Sequence, residues 1–409
     1  MTIASFVCPL PLLALGLLTA PVLGDVIPVG PVSGTTPRSD LVVALTQAQD
    51  GDTLLVGAGV YAAFDLADRA VDIVAREGAL VRVVGSARVR DLDAGKEVVL
   101  SGLRFEGDDY PSALEIAACH GSVRVVDCTF RGTDTMGRDG CSIVDSSDVA
   151  LFGVDIEGGT ALAGFCAETS GRGLVVDGSV VSLYSSAVRG GRPRIVLAGY
   201  DLGGDGGEAC AVTGTSELRA FSAHFTGGAG GQGDAFGSFC PCGVGGAGLV
   251  VDATSTVELL AGSTTGGSGG LYNSGPNCPP GLGRVGPVTD VPGPARRIQL
   301  ERIAYGGGQL DGVIRGVPGE AVVLVLSLHA AHVVLPNYHN VLLTGSPYFA
   351  RGVPVGVIPA SGQMGFSAGV VGFGSSLLAE HMYVQPLYLG TAQRWLGDGD
   401  VVSLLAPWL

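Results

Sequence analysis

The sequence predicts an all-β chain built as a solenoid of parallel strands, a parallel β-helix, with a smaller β-domain behind it. Two observations carry this. A short run of alternating apolar residues recurs seven times between positions 98 and 257, at steps of 25, 26, 25, 21, 23 and 39 residues. Glycine makes up 68 of 409 residues, about one in six against a usual roughly 7%. Repeats of this length mean a stacked architecture, and two-residue alternation means strands.

The first charged side chain is Asp25, and the stretch before it, SFVCPLPLLALGLLTAPVLG at 5–24, is almost wholly apolar. It reads as a secretory signal peptide cut after Gly24, with Val22 at the −3 position, although no Lys or Arg precedes it. The competing reading is an uncleaved membrane anchor, which Pro9, Pro11 and Pro21 disfavour.

The repeats read VVLSGLRFEG at 98–107, VRVVDCTFRG at 123–132, VALFGVDIEG at 149–158 and LVVDGSVVSL at 174–183. IVLAGYDLGG at 195–204, LRAFSAHFTG at 218–227 and VELLAGSTTG at 257–266 follow. Coils of this size stack about 4.8 Å apart, with glycines at the corners. One inward column reads Phe105, Phe130, Ile156, Val181, Leu202, Phe225, Thr264. A second reads Leu100, Val125, Leu151, Val176, Leu197, Ala220, Leu259. The outward column between them reads Arg104, Thr129, Asp155, Val180, Asp201, His224, Ser263. A slip of one residue would mix these columns.

With LVVALTQAQDGDTLLVGAGVY at 41–61 ahead of them, these repeats resemble the right-handed parallel β-helix proteins of the pectate-lyase-like superfamily. There a short capping helix precedes GDT, a first strand and a G-Y turn. The resemblance covers roughly residues 39–290 and implies a right-handed parallel β-helix. It leaves function open, because the superfamily holds lyases, hydrolases, epimerases and adhesins.

The tract 226–248 and the Gly/Pro-rich tract 262–294 read as surface loops, the second leaving the helix. From Arg296 the coil period stops. AVVLVLSL at 321–328, HVVLP at 332–336 and VLLTG at 341–345 are separated by turn signals, which predicts a β-sandwich over 296–409. Secreted bacterial β-helix proteins carry similar C-terminal β-domains.

An apolar fraction of 46% excludes disorder. A net charge of −15 and a pI of about 4.7 argue against a nucleic-acid partner. Past Cys8, eight cysteines remain, an even count suited to disulfides in an exported chain. Cys141 and Cys166 stand one coil apart, with Cys210 in the same column, so they read as a bridge or as packed thiols. Cys119 and Cys128 suit a local bridge, and Cys240 or Cys242 with Cys278 would staple the two loops.

Asp155 and Asp201, two coils apart, with His224 one coil beyond, are the acid/base candidates, and Arg131 and Glu157 flank them. The competing reading is a solvated face of mixed charge. The motifs of β-helix galacturonases and pectate lyases are absent, and Arg189, Arg192 and Arg194 fall in a coil corner. Gly203-Gly204-Asp205-Gly206-Gly207-Glu208 loosely matches a single calcium nonapeptide. His329, His332 and His339 beside Tyr338 read as surface histidines of the last domain.

The expectation is an exported, non-catalytic protein, secreted or at the cell surface or periplasm. It would be structural, or would bind a polysaccharide or a cell-surface protein, with no nucleic acid, no cofactor, and no stable membrane span after cleavage. The alternative is a divergent polysaccharide lyase or glycoside hydrolase, with calcium as its one cofactor reading.

Overall fold

The computed structural model describes residues 24–30, 40–108, 111–133, 137–161, 169–193, 203–233, 242–271, 276–328, 330–334, 341–344, 351–370, 379–390 and 394–406. Three parallel sheets carry the first domain, sheet A with ten strands and sheets B and C with eight each. Every coil passes once through A, B and C, as in Glu97–Ser101, Leu103–Glu106 and Ser112–Ala117. This is a parallel β-helix. Its first rung is β1 (Val26–Val29), paired with Thr53–Val56. Helix α1 (Asp40–Gln47), the one helix among the described residues, closes that end, and the helical spacing of Leu41, Ala44, Leu45 and Ala48 puts all four in the core. Arg69 donates to the Leu45 and Ala48 carbonyls, two acceptors that the end of the helix leaves open.

In sheet A the successive inward partners are Leu100, Val125, Leu151, Leu183, Ala220 and Leu259, so the coils run 25, 26, 32, 37 and 39 residues. Three early and two late repeats sit where the sequence puts them. The middle two do not. Val181, not Leu174, pairs with Val149, while Leu174 pairs with Cys141 in sheet C. The window at 174 fits the pattern because strands of C alternate like strands of A. No coil starts at 195, since Val181 pairs directly with Leu218, and residues 194–202 lie outside the described residues. The inward column of sheet B is therefore Phe105, Phe130, Ile156, Val188, Phe225 and Thr264. Phe105 and Phe130 stack with ring centroids 5.1 Å apart.

The corners repeat as strictly as the strands. Gly102, Asp127, Gly153, Ser185, Ser222 and Ala261, each the first residue between A and B, all have φ between 47° and 70°. The corner from C back to A holds a ladder of buried serines. The Ser146 amide donates to Ser179 Oγ (3.0 Å), Ser179 to Ser216 Oγ (3.1 Å) and Ser216 to Ser255 Oγ (3.1 Å). Each hydroxyl thus satisfies a buried N–H of the coil before it.

Coil growth is confined to the corner between B and C, at 158–173, 190–209, 227–248 and 266–283. These tracts are not loose loops. Their described parts are extended legs, out and back, that hydrogen-bond side by side. Gly191 N donates to Gly171 O, Gly207 to Gly191, Gly228 to Gly207, Gly246 to Gly228 and Gly267 to Gly246, each at 2.8 Å. Gly281 closes the row on Gly267 at 2.9 Å. Within a leg the contact recurs every three residues, as when Gly228 and Gly231 reach Gly207 and Gly204. That is the period of a polyproline II chain, whose backbone bonds only to its neighbours. A local Gly-Gly-x period, which the overall glycine content does not distinguish, makes this packing. The Gly/Pro-rich tract also stays in the solenoid, since Arg284–Val285 and Thr289–Val291 pair in sheets C and A.

The C-terminal domain packs a three-stranded antiparallel sheet (Arg297–Leu300, Gln309–Arg315, Gln363–Gly369) against a six-stranded one. Its core is continuous with the outer face of sheet A. There Phe152, Tyr184 and Phe221 stack at 5.1 Å steps and join Ile298, Trp395 and Val402 in one cluster. Charged groups are buried at the same seam. Arg124, 1% exposed, grips Asp148 of the next coil at 2.7 and 2.9 Å. His381 of the C-terminal domain holds Asp72 at 2.9 Å, and Asp398 accepts from Ser185 Oγ at 3.2 Å. Burial pushes Glu97 up to about 7 against the nearby Arg124, and Asp398 up to about 7 against the Ser222 and Ser185 hydroxyls.

Two outcomes follow from this packing. Gly228→Ala would place a Cβ 1.7 Å from the Gly191 carbonyl oxygen. It should cost about 1–3 kcal/mol in a urea titration and deprotect the leg amides to hydrogen exchange. The folded Asp398 pKa lies above its unfolded value, so its stabilising contribution is full below about pH 4 and is lost as pH rises through about 7. Wild type should therefore lose about 1–2 kcal/mol more than Asp398→Asn between pH 5 and pH 8, read from urea midpoints.

Candidate functional site

The sequence placed its acid/base candidates on the outer face of sheet B. The structure orders one outer column there as Arg82, Arg104, Thr129, Asp155, Ala187, His224, Ser263. The neighbouring column reads Val84, Glu106, Arg131, Glu157, Arg189, Thr226, Thr265. Asp155 and His224 do share a column. The slot between them belongs to Ala187, not to an aspartate, and Asp201 lies outside the described residues. The correction follows from the misplaced middle repeats.

Across the two columns, and along the second, the charges neutralise one another. Arg189 binds Asp155, Arg131 binds Glu157 at 3.3 Å, Arg82 binds Glu106 at 2.5 Å, and Arg104 reaches Glu106 at 2.9 Å. The His224 ring meets Ser263 Oγ at 2.9 Å. These are the mixed-charge ladders of a solvated face, with the carboxylates committed to guanidinium groups.

A second constellation was not anticipated. A trough of about 600 Å³ lies where the glycine legs meet the entry to sheet C. Asp139, Arg172 and Glu208 line it, each two residues ahead of a stacked column of Cys141, Leu174 and Cys210. They therefore form one ladder along the solenoid axis, a coil apart. The Arg172 guanidinium holds Asp139 at 2.8 and 3.2 Å, and its amide donates to the same carboxylate at 2.8 Å. Burial raises the Glu208 carboxyl above its ordinary range, and Arg172 opposes this. Arg138 and Asp205 complete the charged lining, and the Val244 amide donates to Asp205 Oδ1 at 2.7 Å. Gly171, Gly206, Gly245 and Gly246 supply a backbone wall. This lining offers charge and backbone hydrogen bonding, with no aromatic ring.

The residue adjoining Cys141 in its column is Leu174, and Cys166 lies outside the described residues. Cys119, Cys128, Cys141 and Cys210 are buried free thiols, so the local bridge between Cys119 and Cys128 is absent. Burial pushes the Cys128 thiol up to about 12. Cys242 and Cys278 form a disulfide across the legs of two successive coils, with Cα atoms 5.6 Å apart, while Cys240 is outside the described residues. The nonapeptide-like run 203–208 belongs to a glycine leg, with Gly207 bonded to Gly191. Among the described residues no group of three or more His, Cys, Asp or Glu side chains is arranged to hold a metal ion. His329, His339 and Tyr338 lie outside the described residues, as does the His332 side chain. No helix among the described residues is long and apolar enough to cross a membrane.

No family model matches the chain. No curated protein matches it either. Among solved structures, the superoxide reductase (neelaredoxin) from Ignicoccus hospitalis aligns with 27% of this chain and 80% of its own length. The identity is 8% and the TM-score 0.18, a likeness too slight to bear on fold or function.

Because sheet B is a self-neutralised face, Asp155→Ala and His224→Ala should each move the unfolding free energy by less than about 0.5 kcal/mol in urea.

Proposed function

We propose that this is an exported, non-catalytic β-helix protein of the cell envelope or extracellular space, which binds a polysaccharide or a surface protein along the trough beside its glycine legs. The observation that carries the reading is the ladder Asp139, Arg172, Glu208 in an open polar trough of about 600 Å³. Charged groups repeat there at the coil spacing of about 4.8 Å, close to the length of one sugar ring or of one extended residue and a half. Rigid backbone forms the opposite wall, so little ordering is needed on binding. With no ring to stack on, recognition rests on hydrogen bonds and charge.

A second reading, a divergent polysaccharide hydrolase or lyase, is favoured by one feature of that ladder. Asp139 and Glu208 stand two coils apart, about 9.5 Å by strand spacing, near the separation at which inverting glycosidases hold their carboxyls. Glu208, with its raised pKa, would be the acid and Asp139 the base. Against it, Asp139 is committed to Arg172 through three hydrogen bonds.

A panel of glycans and envelope extracts, assayed at once for retention and for new reducing or unsaturated ends, separates the two. The binding reading expects retention without cleavage, weakened at least about tenfold by Arg172→Ala, the loss of a charge-assisted contact. Cleavage that is abolished in Glu208→Gln would replace it with the enzymatic reading.

A further inference from the structure

A recess of about 390 Å³ opens where the first coils meet the C-terminal domain. Asp50, Asp72, Glu97 and Glu380 line it, with Lys96 and His381. Lys96 is spent on Asp68 at 2.8 Å and Asp50 at 3.3 Å, and His381 on Asp72 at 2.9 Å. Carboxyl groups therefore outnumber cations. Gly24, Gly51 and Thr53 form its edge.

Behind that edge lies Asp52, 7% exposed. Its Oδ1 accepts from the Asp25 amide at 2.7 Å and its Oδ2 from the Gln49 amide at 2.7 Å. Among the described residues no cation pairs with it. A buried carboxylate held by two neutral amides lacks its counter-charge. One of those amides is the nitrogen at the junction where the apolar segment 5–24 ends.

We propose that hydrolysis of the Gly24–Asp25 peptide bond converts this nitrogen into an α-ammonium, which Asp52 holds at the edge of the acidic recess. The recess is then the receptor for the chain's own processed end. The proposal rests on the export reading above. Water adds its hydroxyl to the Gly24 carbonyl carbon, and the C–N bond breaks. The departing nitrogen takes the remaining proton of that water and a second from solvent, and a secretory endopeptidase catalyses the step. The new cation needs no rearrangement to find its partner, because the nitrogen already lies 2.7 Å from Oδ1. β1 begins one residue later, so the processed chain enters sheet A at once. In the uncut chain the junction residue is sterically restricted: a Cβ on Gly24 would fall 1.7 Å from the Gly51 carbonyl oxygen, so before the cut only the smallest residue fits beside the recess.

The test uses the full precursor expressed with export, and two chains made to begin at Asp25 or at Gly24. Intact mass should give Asp25 as the first residue of the exported protein. The Asp25 chain should melt at least about 2 °C above the chain that keeps Gly24. Asp52→Asn should remove that difference. The α-amine of the Asp25 chain, followed by NMR, should titrate above its ordinary value of about 8. A protein retained at full mass overturns the export reading and this proposal with it. Export with a different first residue overturns the proposal alone. So does an Asp25 chain whose α-amine titrates at its ordinary value, a readout that needs no variant to fold.

Discussion

Every coil of this solenoid must present its backbone donors and acceptors to the next coil in register, and the rest of the structure follows from that constraint. It sets the columns of inward residues. From Gly102 to Ala261 it forces the first corner residue of six successive coils into the same left-handed conformation, whether glycine, aspartate, serine or alanine stands there. It also explains the serine ladder, where a corner leaves an amide facing inward and the hydroxyl of the next coil takes it. The glycine legs obey the same rule beyond the strands. A leg can leave the solenoid without burying unpaired amides only if the leg beside it accepts them. Such close approach leaves no space for a Cβ: at Gly191, Gly207, Gly228 and Gly246 one would sit within 2.0 Å of a neighbour's carbonyl oxygen.

Sheet A shows how a second domain enters this scheme. Its outer positions hold the rings of Phe152, Tyr184 and Phe221, which would be exposed in a bare solenoid. The C-terminal domain covers them and makes one core with them. Covering the face also buries Arg124 and half-buries Asp148, Asp72 and Glu97, so ion pairs and a carboxyl with a raised pKa are found together at one seam. Sheet B stays open and carries charge ladders that water can screen.

What was legible in the sequence depended on coil length. Where coils measure 25 or 26 residues, the columns through Phe105, Phe130 and Ile156 could be read directly. Once legs lengthen the coils, a fixed step fails. It offered Leu174 for Val181 and put Asp201 in the slot of Ala187. The trough was missed for the same reason. Asp139, Arg172 and Glu208 are 33 and 36 residues apart, and nothing in their own neighbourhoods announces that they stack. Two signals were present. Aromatic residues end the A strands of three successive coils, marking an outer face that needs cover. The Gly-Gly-x triplets at 203–208, 227–233 and 266–271 marked the legs.

The glycine legs divide labour within a single triplet. The two glycines fit the narrow spacing and make the row's glycine-to-glycine bonds, while carbonyls of third residues such as Val244, Ser268 and Leu271 accept from glycines of the neighbouring leg. The third residue, among them Asp205, Gln232, Val244, Ser268 and Leu271, makes none of the row's glycine-to-glycine bonds. Apart from Asp205, whose carboxylate holds the Val244 amide, such positions as Val244, Ser268 and Leu271 bond to the neighbouring leg through the backbone, which any side chain leaves in place. They amount to a rigid comb whose teeth are interchangeable, so its surface chemistry can be rewritten residue by residue while the shape beneath is inherited intact.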